Sequence, residues 1–201
     1  MNIHPLPKTR EVSRLIVVFL LLVGLGLAVA GCSTAPPPGV QVVDRFEISR
    51  YLGRWYEIAR LDHRFERGLT NVSADYQLRS DGGIAVLNRG FDSRKGQWKE
   101  ALGRAYVTGS EQTASLKVSF FGPFFGGYHV IALDRERYRW AMVVGPDTDY
   151  LWILARTPSI PASVRDRLLA QATSLGIDVS KLIWVSHDPV AESRVSPDQK
   201  P

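Results

Sequence analysis

Acid–base or metal chemistry in this 201-residue chain would have to start from His63, which stands in the run Asp62-His63-Arg64-Phe65-Glu66-Arg67. One imidazole flanked by two carboxylates is a minimal metal or proton-transfer cluster. Consecutive charged residues of both signs more often pair with one another in water, however, and the run reads as a solvated, salt-bridged loop. The other histidines, His4, His129 and His187, stand far from it in sequence. No serine-nucleophile motif, spaced metal-ligand set or phosphate-cradling glycine loop occurs. No catalytic residue, no metal and no cofactor is therefore expected, and the chain reads as a binder rather than an enzyme.

The single cysteine, Cys32, excludes an internal disulfide and a cysteine-based zinc site. Its position is more telling. Lys8, Arg10 and Arg14 precede an apolar stretch from Leu15 to Ala30, and Gly31 and Cys32 close it. A charged start, a short apolar run and small residues at its end describe a secretory signal peptide. The alternative, an uncleaved membrane helix, would want about 20 apolar residues, and Gly24 and Gly26 weaken this one further. Val29-Ala30-Gly31-Cys32 resembles the bacterial lipobox, whose cysteine becomes an acylated N-terminus. By that resemblance residues 1–31 are removed and Cys32 is lipidated. Ser33 in the next position implies the outer membrane, with the domain on its periplasmic face. Without Lys8, Arg10, Arg14 and Glu11 the formal charge falls from +5 to +3. No basic run with interleaved aromatics appears, so nucleic acid is not an expected partner.

Residues 32–41 then form a proline-rich tether, 42–189 one domain, and 190–201 a polar tail expected to be disordered. Short β-rich runs recur near Arg54–Arg60, Val72–Leu78, Ile84–Arg89, Trp98–Val107, Ser115–Phe121, Tyr128–Leu133, Trp140–Val144 and Leu151–Arg156. Turn signals such as Ser80-Asp81-Gly82-Gly83 and Thr108-Gly109-Ser110 separate them. Eight consecutive strands with short links predict an all-β fold, an antiparallel up-and-down barrel. Val164, Leu168, Ala172 and Leu175 fall at helical spacing between Pro161 and Gly176, predicting one C-terminal helix packed outside. A short strand-like piece, Leu182–Val185, follows it.

With these elements placed, the sequence resembles the lipocalins, in particular the bacterial outer-membrane lipoprotein lipocalins. Gly53-Arg54-Trp55 matches the family's GxW at the start of the first strand. Leu133-Asp134 with Tyr138 matches the turn between the sixth and seventh strands, and Arg156 matches the arginine closing the eighth. His63–Leu69, Phe120–Phe124 and Asp149–Leu154 look like the bacterial branch. Thr148-Asp149-Tyr150 imitates the second motif one connection too late and is not assigned to it. Alternation of the connections brings Trp55 and Arg156 to one end, where they are expected to form a structural plug.

The opposite end would then be open, ringed by the loops Leu61–Asn71, Gly90–Gln97, Gly122–Gly127 and Gly145–Asp149. Side chains alternate across a strand, so Glu57, Tyr76, Trp98, Phe120, Tyr128, Tyr150 and Trp152 are expected to line a cavity. Val86, Asn88, Leu116, Val118 and Val130 join them, with Ala59 and Ala132 leaving room. Glu57 could orient a ligand's polar group or bond a neighbouring Tyr or Asn. An eight-stranded barrel holds either packed side chains or one small ligand. The resemblance implies a fatty acid, a lysophospholipid or a similar amphiphile as that ligand, stored or carried in the envelope. An enzyme acting on an apolar substrate and a structural, stress-related lipoprotein are the alternatives. Phe121, Phe124 and Phe125 could face the mouth, a second subunit in a homodimer, or the membrane.

Overall fold

The structure, a computed structural model, describes residues 34–110 and 112–189. The leader, Cys32 and the tail from 190 lie outside the described residues. Eight strands run in sequence: β1 Gly53–Arg60, β2 Leu69–Leu78, β3 Ile84–Asp92, β4 Gln97–Val107, β5 Ser115–Phe121, β6 Phe124–Leu133, β7 Trp140–Val144 and β8 Leu151–Ala155. Each pairs antiparallel with the next, and β1 also pairs with β8. The sheet therefore closes on itself, as the meander of short strands predicts. A one-turn helix, α1 (Ile48–Tyr51), precedes the barrel and is not signalled in the sequence.

Helix α2 (Ala162–Ser174) begins after Pro161, whose fixed φ suits a helix start, and ends before Gly176 at φ +78°, a conformation that costs glycine little. Leu168 and Ala172 are fully buried on the outer wall, in one cluster with Leu151, Ile153, Ala155, Met142 and Ile131. This explains why β7 and β8 are apolar on both faces. The interior holds a second cluster, including Trp55, Tyr76, Val86, Leu116, Val130, Val143 and Leu154.

Register shifts interrupt four pairings, β1–β8, β2–β3, β5–β6 and β6–β7, and the first and last decide which expected lining residues face in. In β1 the register shifts between Glu57 and Ala59, so Ile58 is the extra residue. Glu57 stays inside opposite Leu154, Ala59 turns out opposite Ile153, and Arg60 turns in opposite Trp152. In β6 the shift falls between Val130 and Ala132. Val130 remains interior while Ala132 packs with the outer cluster. Ala59 and Ala132, expected to leave room inside the barrel, therefore face outward.

Beyond the first bulge β1 parts from β2. A C-terminal strand, β9 (Ile183–Trp184), pairs with Ala59 and Arg60 there. Val185 N–H donates to Ile58 O at 3.0 Å and Asn71 N–H to Ser186 O at 2.7 Å. The segment after α2 thus bridges the seam between the first two strands in the open half.

Candidate functional site

The closed end is built around Trp55. Its Nε1–H donates to Tyr51 O at 2.8 Å, and its ring lies 4.6 Å from that of Tyr51. The Arg156 guanidinium sits 3.9 Å from the Trp55 ring centroid and donates to the carbonyls of Tyr138, Arg54 and Arg50 at 3.2, 2.8 and 2.8 Å. Gly53 takes φ +88°, and a Cβ there would stand 3.5 Å from Arg156 Nη1. A glycine two residues before the tryptophan thus meets a backbone requirement, while a Cβ would only touch the guanidinium at ordinary contact distance. Above this plug the phenols form a chain: Tyr51 Oη to Tyr128 Oη is 2.7 Å and Tyr128 Oη to Tyr76 Oη is 3.1 Å. Burial pushes all three phenols up, Tyr76 to about 12, so they remain protonated.

The open half is built differently. Arg60 is buried and donates through Nη1 to Glu57 Oε1 at 2.6 Å. Its Nη2 donates to Glu66 O at 2.8 Å and Leu69 O at 3.3 Å, which ties the loop after β1 to the inner wall. Glu66 Oε2 accepts from Trp152 Nε1 at 3.2 Å and stands 3.1 Å from His63 Nε2. The His63 ring packs 5.1 Å from Trp152 and 5.8 Å from Tyr150. The guanidinium thus serves the Glu57 carboxyl and two loop carbonyls, while the Glu66 carboxyl is met by Trp152 and His63. Burial, then the neighbouring Glu66 charge, outweigh Arg60 and push Glu57 well up. Burial also pushes Glu66 up, but His63 and the Trp152 N–H outweigh it and bring that carboxyl below its ordinary value.

The expected solvated loop is therefore only half correct. Asp62 and Arg67 pair at 2.9 Å on the surface, whereas His63 and Glu66 are drawn into the mouth. Among the described residues no group of three or more His, Cys, Asp or Glu is arranged to hold a metal. Arg60, His63 and Glu66 were not expected inside. The available signal was charge at Glu57 and Arg60, three apart in one strand, which alternation cannot place on one face without a bulge.

The other expected lining residues divide. Tyr76 and Glu57 are buried inside, while Tyr128, Phe120 and Trp152 face the interior half-buried. Tyr150 stands just before β8, its ring stacked 6.1 Å from Trp152. Trp98 requires correction. It pairs with Phe91 on the outward phase of β3 and β4, lies under the Arg89 guanidinium at 4.3 Å, and is 39% exposed. It borders an outer-wall groove with Arg54, Tyr56, Asn71, Ser73, Arg89 and His187, not the cavity. Two inward positions in the middle of β4 are small, Ala101 and Gly103, and Phe120 covers Gly103. Gly126 pairs with inward-facing Val118, and a Cβ on it would meet no atom within 4 Å.

Comparison with known proteins agrees with this geometry. The profile of the lipocalin-like domain matches residues 46–187. The outer membrane lipoprotein Blc of Escherichia coli (strain K12) is 61% identical over 159 residues, covering 79% of this chain and 89% of the relative. Its namesake in Vibrio cholerae serotype O1 is 50% identical, covering 84% and 96%. Mouse apolipoprotein D is 36% identical over 73% of this chain and 79% of its own. Among solved structures, insecticyanin of the tobacco hornworm Manduca sexta superposes with a TM-score of 0.62 at 21% identity, covering 78% of this chain and 88% of that one. A closed antiparallel barrel with one outer helix, an arginine stacked on the tryptophan of its GxW motif, and these relatives together show that the chain belongs to the lipocalin family, beside the bacterial outer membrane lipoproteins.

Proposed function

We propose that this lipocalin is a lipid-binding outer membrane lipoprotein that stores or carries fatty acids, lysophospholipids or similar amphiphiles in the open half of its barrel. The observation that carries the reading is the inner wall at Gly126, where added side-chain volume would meet nothing. Around that space the lining is Val118, Phe120, Tyr128 and Trp152, inward-facing yet only half-buried. An acyl chain covering such surface gains about 25 cal/mol per Å² of apolar area removed from water.

Polar atoms at the same level suit a head group. Arg60 Nε, Asn88 Oδ1 and His63 Nδ1 are buried without a hydrogen-bond partner among the described residues. Buried polar groups rarely stay unpaired, because each costs about 1–3 kcal/mol. A bound carboxylate, ester or phosphate oxygen would satisfy the donors. The lipobox resemblance and the names of the Blc relatives support anchoring through Cys32 with the barrel in the periplasm. The His63–Glu66 pair fixes the Trp152 indole, so these two side chains support the lining of the cup.

Uptake of a fluorescent fatty acid tests the reading. Gly126→Leu and Trp152→Arg should each lower affinity at least about tenfold, a difference of about 1.4 kcal/mol. Trp98→Arg, on the outer wall, should leave it unchanged. Unaltered uptake in the first two variants would refute the cavity.

A further inference from the structure

The β5–β6 hairpin ends at the mouth in an unpartnered apolar tip, beside the outer wall of β4. Phe121 and Phe124, flanking the β5–β6 turn, are 73% and 66% exposed, and Leu102 on adjacent β4 is 75% exposed. Beneath the tip lie two cations. Arg104 and Lys117 stand 5.6 and 5.1 Å from the Phe125 ring, and neither has a carboxylate partner among the described residues. From Gln112 to Leu133 the sequence contains no Asp or Glu. Aromatic side chains at the tip with unneutralised cations just behind them match the layering of a bilayer surface, acyl chains first and anionic head groups next.

The N-terminal segment reaches the same wall. Val43 bonds Val130 and Ala114 at the base of β5 and β6, both at 2.9 Å. Upstream, Val40 packs with the outer cluster, Pro37 is buried, and the Ala35 backbone lies beside the ring of outward-facing His129 on β6. Thr34 is therefore held beside β6, five residues of strand from Phe124, or roughly 17 Å at the usual rise. An anchor two residues upstream, at Cys32, would leave the protein along this wall rather than from the closed end.

We infer that the Phe121–Phe124 hairpin, with Arg104 and Lys117 behind it, is a docking surface for an anionic lipid bilayer, so that the anchored barrel leans its mouth against the membrane. The inference rests on the anchoring of Cys32 but not on what the cavity binds. It gives an amphiphile a route between bilayer and cup that need not cross water.

Because the anchor would occupy the single cysteine, a new cysteine is the only free thiol. The mature chain bearing Phe121→Cys, Phe124→Cys or, at the closed end, Leu78→Cys is spin-labelled and reconstituted into phosphatidylethanolamine–phosphatidylglycerol vesicles. Leu78 is 64% exposed and serves as the matched comparison. Power saturation should place labels 121 and 124 in contact with lipid-dissolved oxygen and label 78 in contact with an aqueous relaxant. All three labels in water would overturn the proposal. Labels 121 and 124 shielded from both relaxants, and released as protein is diluted in lipid, would show a second copy on the surface and overturn it too. If the wild-type chain takes label at Cys32, anchoring fails on its own account. Co-sedimentation of that unacylated chain with the same vesicles then decides: retention lost in Phe124→Asp supports the surface, and no retention of wild type overturns it.

Discussion

The two ends of the barrel solve opposite problems with similar side chains. At the closed end an arginine meets an indole and three carbonyls, and none of the polar atoms of Trp55, Tyr51, Tyr138 or Arg156 lacks a partner. At the open end an arginine meets a carboxyl and two carbonyls, yet its Nε, His63 Nδ1 and Asn88 Oδ1 are left over. The first arrangement is complete and should act as a rigid base. The second is incomplete by itself and lies beside unfilled space at Gly126. On the proposed function, stability and binding are thus segregated along the barrel axis, with the phenol chain of Tyr51, Tyr128 and Tyr76 between them.

Substitutions can break that contrast. The largest loss of stability should come from Trp55→Ala, about 4 kcal/mol, since a fully buried indole leaves a cavity under the stacked guanidinium. Urea unfolding would measure it, and the folded fraction should still take up fatty acid. Next is Arg60→Met, at about 3 kcal/mol, because it strips buried Glu57 and the two loop carbonyls of their donor. Amide exchange should quicken across residues 62–69 and stay slow around Arg156. Equal quickening at both ends would contradict the segregation.

Glu57→Gln should have the smallest effect, under about 1 kcal/mol at mildly acid pH, since the amide imitates a protonated carboxyl. Its pH dependence is the sharper readout. A carboxyl raised in the folded state favours folding fully below its unfolded value and loses that contribution as pH climbs toward the folded one. Glu66, held low, acts in reverse, and its contribution fades as pH falls through its folded value. Glu57→Gln should therefore gain stability over wild type as pH rises above the carboxylate range. A constant difference would mean that Glu57 is already ionised.

The same division governs what could be read from sequence. Closed-end residues sit in fixed local contexts, Gly53 before Trp55 and Arg156 at the end of β8, and alternation from those anchors is unbroken over the first turns. Strand positions were legible because aromatic and β-branched runs stop at strong turns such as Asp81-Gly82-Gly83. The phase of the open end depends on bulges, among them those in β1 and β6. Ile58-Ala59 and Val130-Ile131-Ala132 are apolar in either phase, so nothing in them marks where a residue was inserted. Trp98 misled for a related reason. Large residues on β4 suggest the core, yet Ala101 and Gly103 face in because Phe120 and open space occupy that side, leaving Trp98, Leu102 and Tyr106 outward. His63 and Glu66 belong to a loop that folds back over the mouth, and only the long-range contact with Trp152 reveals it.

Native mass spectrometry of the protein purified without detergent tests the central claim most directly. An unfilled upper cup with unpaired donors should retain one amphiphile per chain, seen as a discrete mass addition that Gly126→Leu removes. Protein that flies at its bare mass, and stays bare after incubation with fatty acid or lysophospholipid, would contradict the account.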